Sequence, residues 1–272
     1  MIGNGTLGAL MNEQANIVWC CLPRFDSPPV FDALLNDPQA QSGQFSIELE
    51  DFARVEQVYH RNTAVLETRL YDSHGSGVLI TDFAPRFKQY GRIFHPGMLV
   101  RQLQPIAGAT RVRIRLRPTN GWNGGEPQVL RGSNHLRYVF DEMVLRLTTN
   151  VSLTRIEKGD YFILDGQRSL ILGPDEIVPG NVNDEARRLL EATISYWYDW
   201  VRDLHIPFEW QEAVIRAAIT LRLTADEDTG AIIAALTTSI PEAPHSGRNW
   251  DYRCCWLRDA YYVVWAVKRL GT

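Results

Sequence analysis

Side chains in the first 180 residues alternate between apolar and polar with a period of two, the pattern of strands with one buried face. The clearest run is Arg111–Arg117, in which three aliphatic side chains point one way and four arginines the other. Parallel strands need long crossover connections, usually helices, and no long helical pattern interrupts this region. The sequence therefore predicts an antiparallel β-sandwich over residues 1–180.

Ten segments carry this strand pattern. They are Ile17–Leu22, Phe45–Leu49, Thr63–Leu70, Gly77–Phe83, Met98–Pro105, Arg111–Arg117, Leu136–Phe140, Met143–Leu147, Tyr161–Leu164 and Ser169–Leu172. The arginine stripe of Arg111–Arg117 could suggest RNA binding. The chain carries a formal net charge of -4, so we interpret the stripe as a solvated sheet face and expect no nucleic-acid partner.

The period changes to that of a helix after about residue 180. We predict a linker helix over 181–206, capped by Asn183 and ending near Leu204. A second helix is predicted from Pro207 to Thr224, apolar on most sides and therefore buried among other helices. The acidic run from Asp226 to Asp228 is predicted to be a solvated loop.

One stretch near the C-terminal end combines residue types that seldom occur together. Ser246–Ala260 holds two Trp, one Tyr, three Arg and two Asp. Aromatic faces cover sugar rings, and Arg and Asp fix hydroxyl groups, so this composition suits a cleft for a polyhydroxylated ligand. We predict that a helix starts within the stretch, with Tyr252, Trp256 and Asp259 on one face. From the residues alone, a buried helix with a structural Arg258–Asp259 pair explains the pattern equally well.

Several classes of partner and location can be assessed from composition. The cysteines form two adjacent pairs, Cys20-Cys21 and Cys254-Cys255, a spacing that chelates one metal ion poorly, so no metal site is expected. No other feature calls for a cofactor. The N-terminus lacks a basic start and a long apolar run, and no stretch is long enough to span a bilayer. We therefore expect no membrane contact and a cytoplasmic location.

Four segments together resemble the prokaryotic branch of the glucoamylase–trehalase family, glycoside hydrolase family 15. They are Ile2-Gly-Asn-Gly5, Trp19-Cys-Cys-Leu-Pro-Arg-Phe-Asp-Ser27 with the Pro29-Val-Phe31 that follows, the segment from Thr229 to Glu242, and Arg248-Asn-Trp-Asp-Tyr-Arg-Cys-Cys-Trp-Leu-Arg-Asp-Ala260. Cys254 departs from the usual aromatic residue, and Leu236 from a common proline. The last segment is the most specific, and the likeness covers the whole chain.

The resemblance implies a fold and a set of site residues. The fold is an N-terminal β-sandwich (1–180), a linker helix (181–206) and the first helices of an incomplete (α/α)6 barrel (207–272). Trp256 would pack on the terminal glucose, Arg258 and Asp259 would hold its hydroxyls, and Tyr252 would lie beside the reacting centre. Arg24 and Asp26 are interpreted as a structural pair between sandwich and barrel.

The resemblance also implies an inverting hydrolase of α-linked glucosides, either maltooligosaccharide ends or trehalose. Inversion needs two carboxyl groups about 6.5–9.5 Å apart, and the family supplies both as glutamates downstream of residue 272. We therefore expect no catalytic residue in this chain, which would be an inactive N-terminal part that self-associates through exposed helical surface. The alternative is a non-catalytic carbohydrate-binding or interaction sandwich, with Trp122 as a platform; packing within its glycine-rich loop is the preferred role of Trp122.

Overall fold

A computed structural model describes residues 1–36, 42–122, 124–239 and 246–271. The end of the third segment that resembles the family, residues 240–242, lies outside these residues. Within them, the first 174 residues are rich in strands and the later part is helical. The predicted order of a β-rich region followed by helices is confirmed.

The strands, in chain order, are β1 (Ile2–Gly3), β2 (Gly8–Met11), β3 (Ile17–Cys21), β4 (Pro29–Phe31), β5 (Gln44–Leu49), β6 (Phe52–Tyr59), β7 (Leu66–Asp72), β8 (Gly77–Phe83), β9 (Phe87–Gln89), β10 (Arg92–Phe94), β11 (Leu99–Ala107), β12 (Arg111–Arg117), β13 (Gln128–Arg131), β14 (His135–Val139), β15 (Val144–Thr149), β16 (Phe162–Ile163) and β17 (Arg168–Pro174). One sheet has the order β1-β2-β3-β5-β12-β16, with β4 paired to β3. The other has the order β13-β14-β15-β17-β11-β8-β7-β6, and β9 pairs with β10. All these pairings are antiparallel, as predicted.

The two sheets share one hydrophobic core, to which both contribute inward-facing side chains. In β12 the aliphatic residues Val112, Ile114 and Leu116 are buried, and Ile114 lies opposite Ile47 of β5. Alternation with a period of two places every second side chain in this core. The arginines of β12 point outward as expected, but three of them pair with acids in or next to β5: Arg111 with Glu50, and Arg113 and Arg115 with Glu48.

A buried ion pair also connects the sheets. Arg101 of β11 and Asp82 of β8 are register partners, and both side chains are fully buried. Arg101 Nε donates to Asp82 Oδ1 at 2.7 Å, while Arg101 Nη1 donates to the carbonyl of Phe45, on the opposite sheet, at 2.6 Å. A charge taken out of water needs such a full set of partners, so this arginine fixes the relative placement of the two sheets.

The helices are α1 (Leu153–Lys158), α2 (Val182–Arg202), α3 (Gln211–Leu223) and α4 (Leu257–Arg269). The predicted cap of α2 was wrong. Its N-cap is Asn181, whose side chain accepts from the backbone N–H groups of Asn183 and Asp184. The predicted start of α3 at Pro207 was also too early, since the helix begins at Gln211. No helix of the described ranges has the length and hydropathy needed to cross a bilayer.

The helices pack on the sandwich and on one another. Val182, Ala186 and Leu189 of α2 are buried against residues of the eight-stranded sheet such as Ile171. Farther along α2, Trp197 packs with Ile219 and Leu223 of α3. Helix α4, by contrast, has no buried residue. These three helices follow the sandwich in the expected order, and the complete (α/α)6 barrel stays a prediction.

Candidate functional site

The aromatic-and-charged stretch begins as an extended segment. Thr238 and Asp251 form an antiparallel bridge, as do Ile233 and Cys255. The N–H of Ala235 donates to the carbonyl of Tyr252 at 2.8 Å. The helix α4 starts only at Leu257, with Trp256 as its N-cap residue. The prediction that Tyr252 lies on the same helix as Asp259 was therefore wrong.

Arg253 anchors this extended segment to the sandwich. Its side chain is buried, and its Nε and Nη2 donate to the two carboxylate oxygens of Asp251 at 3.0 and 2.8 Å. Its Nη1 donates to the carbonyl of Ser27 at 2.6 Å and contacts Cys21 Sγ at 3.5 Å. The guanidinium also lies 5.1 Å from the ring centroid of Trp122. Arg253 thus connects the motif to two parts of the sandwich.

The charges of this anchor stabilise each other. The hydrogen bonds from Arg253 hold the pKa of Asp251 below its usual range, although partial burial acts in the opposite direction. Burial likewise acts to lower the pKa of Arg253, but its bonds to Asp251 and Cys21 raise the pKa overall. Burial raises the pKa of Cys21 to about 11, so this thiol stays protonated beside the arginine. Sequence reasoning missed Arg253, because its partner Ser27 is more than two hundred positions away.

The loop around Leu236, which precedes the motif, packs against a tryptophan of the sandwich. Trp19 is buried, as predicted, and its Nε1 donates to the carbonyl of Leu236 at 2.6 Å. Trp19 and Phe25 share a small apolar cluster with Ile233 and Leu236. A Cβ on Gly8 would lie 2.4 Å from a methyl group of Leu236, so the side chain of Leu236 packs directly against the backbone of β2 and would have to shift to admit a larger residue. The leucine that replaces the more common proline is therefore a packing residue.

The four residues predicted for the site come together at the start of α4. The rings of Tyr252 and Trp256 are stacked, with centroids 5.5 Å apart and planes inclined by 29°. Trp256 Nε1 donates to the carbonyl of Asp251 at 2.9 Å, which fixes the indole. The guanidinium of Arg258 lies 6.0 Å from the centroid of Trp256. An aromatic face and a charged donor thus lie side by side.

Arg258 and Asp259 complete this arrangement on the first turn of α4. They form an ion pair at 3.0 Å between Arg258 Nη2 and Asp259 Oδ2. The side chain of Arg258 is 72% exposed and that of Asp259 35% exposed. An exposed pair of this kind contributes little to stability, so its donors and acceptors are available to a ligand. The alternative of a helix buried in the core does not apply to α4 in this structure.

The predicted solvated acidic loop was wrong for Glu227. Glu227 Oε2 accepts from Arg86 Nη2 at 2.8 Å and from Arg222 of α3, and the side chain of Arg86 is buried. Burial acts to raise the pKa of Glu227, but the hydrogen bond and charge of Arg86, aided by Arg222, lower it overall. The carboxylate therefore remains ionised and connects the sandwich to α3. A local charge run does not reveal such long-range partners.

The same network explains the first family segment. The N–H of Glu227 donates to the carbonyl of Gly5 at 2.9 Å. Asn4 is fully buried, and its Nδ2 donates to the carbonyls of Pro85 and Pro96 at 3.0 and 2.8 Å. Gly5 has a φ of +87°, a conformation that favours glycine, and a Cβ there would meet the guanidinium of Arg86 at 2.8 Å. The segment is thus a structural junction beside the helices.

Three other interpretations can be compared with the structure. Arg24 and Asp26 do pair, through bonds of 2.9 and 2.7 Å, and both are exposed residues of one loop. Trp122 packs against Trp19, with centroids 6.1 Å apart, in agreement with its preferred packing role. Among the described residues no three His, Cys, Asp or Glu side chains are grouped as a metal site would require.

Comparison with known proteins gives two family matches that together cover most of the chain. Residues 1–149 match the family described as trehalase-like, N-terminal. Residues 208–272 match the glycosyl hydrolases of family 15. Helix α2 lies between the two matches. The candidate site at the start of α4 lies within the second match.

Individual relatives align along nearly all of this chain. A trehalase of Thermoplasma volcanium is 27% identical over 99% of the chain. A trehalase of Mycobacterium tuberculosis is 24% identical over 96% of it, and trehalase 1 of Sulfolobus acidocaldarius is 30% identical over 99%. The aligned part is 44%, 42% and 45% of these three proteins, respectively. The chain therefore spans less than half the length of the relatives it matches.

Proposed function

Because this chain belongs to the trehalase and glucoamylase family of glycosyl hydrolases, family 15, we propose that the full-length protein hydrolyses an α-linked disaccharide of glucose. Trehalose is the substrate we favour. The relatives from Thermoplasma, Mycobacterium and Sulfolobus are all named trehalases, and the N-terminal match is to a trehalase-like family. Maltooligosaccharides, which glucoamylases of the family would cleave from the chain end, are the competing substrates.

The observation that carries this proposal is the cluster of Tyr252, Trp256, Arg258 and Asp259 at the start of α4. The indole of Trp256, fixed by its bond to the carbonyl of Asp251, packs against the apolar face of a glucose ring. The exposed Arg258 guanidinium donates to sugar hydroxyls, and the Asp259 carboxylate accepts from them. Tyr252, stacked on Trp256, borders the reacting end of the sugar.

These groups bind the sugar; they do not cut it. A general acid at neutral pH needs a raised pKa, whereas the bonds from Arg253 lower that of Asp251. Asp259 is paired with Arg258, and its carboxylate oxygens can accept hydrogen bonds from sugar hydroxyls. We therefore propose that the acid and the base come from two glutamates of the catalytic domain that lie beyond residue 272 in the full-length protein. The cytoplasmic location expected from the sequence belongs to the same proposal.

The experiment that tests the proposal measures sugar release by the full-length protein. Trehalose, maltose and maltotriose are supplied separately, and the anomers of glucose are followed by proton NMR in the first minutes. Inversion at one centre of trehalose yields equal amounts of α- and β-glucose, whereas retention yields α-glucose alone. We expect the equal mixture and faster release from trehalose than from maltotriose. Absence of glucose from all three sugars contradicts the proposal, and release from maltotriose alone assigns the glucoamylase activity.

We also propose that the 272-residue chain by itself associates with further copies. Large apolar side chains of α4 are exposed, among them Leu257, Tyr261, Tyr262 and Trp265. Contiguous apolar surface of this kind favours association in water. The sequence predicts association through exposed helical surface beyond about residue 185; within that region α3 is packed on one side against α2, so α4 is the stronger contributor.

A further inference from the structure

A second cleft lies between the sandwich and the motif, apart from the cluster at the start of α4. It has a volume of about 360 Å³ and is open to solvent. Two tryptophans line it, Trp122 from a sandwich loop and Trp250 from the extended segment. Four polar side chains line it as well: Thr238, Ser239, Asn249 and Asp251.

The two tryptophans are about half exposed; contacts hold the ring of Trp122, and hydrogen bonds hold the backbone of Trp250. Trp122 is 45% exposed and contacts the ring of Trp19 and the guanidinium of Arg253. Trp250 is 49% exposed; its N–H donates to Ser239 Oγ and its carbonyl accepts from Ser239 N–H, both at 2.8 Å. Aromatic groups that are ordered before binding lose little conformational entropy when a ligand covers them.

The polar groups of the cleft have unused hydrogen-bonding capacity. In the parts of the chain that the structure describes, the side chains of Thr238 and Asn249 have no hydrogen-bond partner. The hydroxyl of Ser239 accepts from Trp250 and retains its own hydrogen as a donor. Asp251 Oδ1 accepts from both the backbone N–H and Nε of Arg253, whereas Oδ2 accepts only from Nη2 and can accept one more bond. Two aromatic faces with hydroxyl, amide and carboxylate groups between them match the two faces and the hydroxyl edge of a sugar ring.

We propose that this cleft is a second saccharide site, which binds the pyranose ring of an α-glucoside. The choice of an α-glucoside over another sugar rests on the proposed function. Asp251 links the two sites, since its side chain lines the cleft and its carbonyl holds the indole of Trp256. The bound ring is either part of the sugar molecule already held at Trp256 or part of a separate saccharide molecule. In both cases the cleft contacts a pyranose ring through the same aromatic faces and polar groups.

The test is calorimetric titration of the 272-residue chain with trehalose and with methyl α-glucoside, which has only one ring. Trp122→Ala removes one face of the cleft, and the double variant Thr238→Val/Asn249→Ala removes two hydrogen-bonding groups while both tryptophans remain. Each change is expected to weaken trehalose binding at the cleft by at least about fivefold. Trp210→Ala is the matched control, because Trp210 is exposed and does not line the cleft. The melting temperature of each variant establishes that it is folded.

The pattern of affinities separates the two sources. If one trehalose molecule occupies both sites, it binds with a stoichiometry of one, and Trp122→Ala and Trp256→Ala both weaken that single event. If the cleft takes a separate saccharide, trehalose shows two events, and Trp256→Ala leaves the one that depends on Trp122. Unchanged trehalose affinity in the folded double variant overturns the proposal. Because no bond is cleaved in this titration, its result is independent of whether the full-length protein releases glucose.

Discussion

Arg253 and Asp251 form a two-bonded ion pair in which the arginine, although buried, also reaches the carbonyl of Ser27 in the sandwich. This pair connects the β-rich region to the extended segment that holds Tyr252 and Trp256. The helix α4 that follows this segment has no buried residue. The position of the site therefore depends on an anchor outside the helical region.

Replacement of Arg253 should destabilise the contact between the extended segment and the sandwich. Arg253→Lys keeps the charge but cannot bond both oxygens of Asp251 and the carbonyl of Ser27 together. We expect a loss of about 2–4 kcal/mol in the free energy of unfolding, measured by urea denaturation. Arg24→Lys is the matched control, since Arg24 pairs with Asp26 at the same spacing but in an exposed position, and its stability should not change. Equal effects of the two changes would contradict the anchoring role.

Glu227 should make the stability of the folded chain depend on pH in the acidic range. Its pKa is lower in the folded chain than the ordinary value of 4.5, so its contribution is complete above that value and is lost as the pH falls through the folded pKa. In Glu227→Gln the buried Arg86 loses its ionised partner, and the contribution is absent at every pH. The melting temperatures of the two proteins should therefore converge as the pH is lowered from about 6 to about 3. A constant difference across that range would mean that Glu227 is not the titrating group.

The buried pair of Arg101 and Asp82 should show strong coupling. Asp82→Leu leaves a buried arginine without its carboxylate, and Arg101→Met leaves a buried carboxylate without its cation; each should cost about 3–5 kcal/mol of unfolding free energy. The double variant replaces both charges with apolar groups, and we expect it to be more stable than either single variant. Urea denaturation of the four proteins measures the cycle. Additive losses would show that the pair is not coupled.

Self-association of the 272-residue chain should depend on α4. Light scattering over a range of concentrations should give a molar mass that rises above that of a monomer. The double variant Tyr262→Lys/Trp265→Lys places charges on exposed positions of the helix and should return the mass towards the monomer. Phe208→Lys, at an exposed residue outside α4, serves as the control. A monomer at all concentrations would contradict the proposal.

The strands that could be predicted are those with one buried face. Gly77–Phe83 and Arg111–Arg117 were predicted to the residue, because burial of alternate side chains leaves a clear period of two. The edge strand Phe52–Tyr59 was missed because most of its side chains are exposed on both faces, so no alternation is needed. The short helix Leu153–Lys158 was also missed, since a segment of two turns carries little periodic signal.

The residues of the candidate site could be predicted from the sequence, but the contacts that hold them in place could not. Tyr252, Trp256, Arg258 and Asp259 were found through residue types and the family resemblance, and the structure brings them together. Tyr252 was nevertheless placed on a helix, because its backbone bond to Ala235 comes from a segment seventeen positions earlier that periodicity does not detect. Arg253 and Glu227 owe their roles to partners far away in the sequence, and no local pattern indicates those partners.

The central claim is that Trp256, Arg258 and Asp259 bind the glucose unit of the substrate, and the kinetics of Asp259→Asn in the full-length protein test it most directly. This change removes a charged acceptor of hydroxyl groups with little change in shape. The matched control is Asp184→Asn, which alters another exposed aspartate near a helix start that pairs with an arginine. We predict that Asp259→Asn lowers kcat/KM for trehalose by at least about tenfold while Asp184→Asn leaves it unchanged. Equal kcat/KM values for the wild-type and Asp259→Asn proteins would contradict the account.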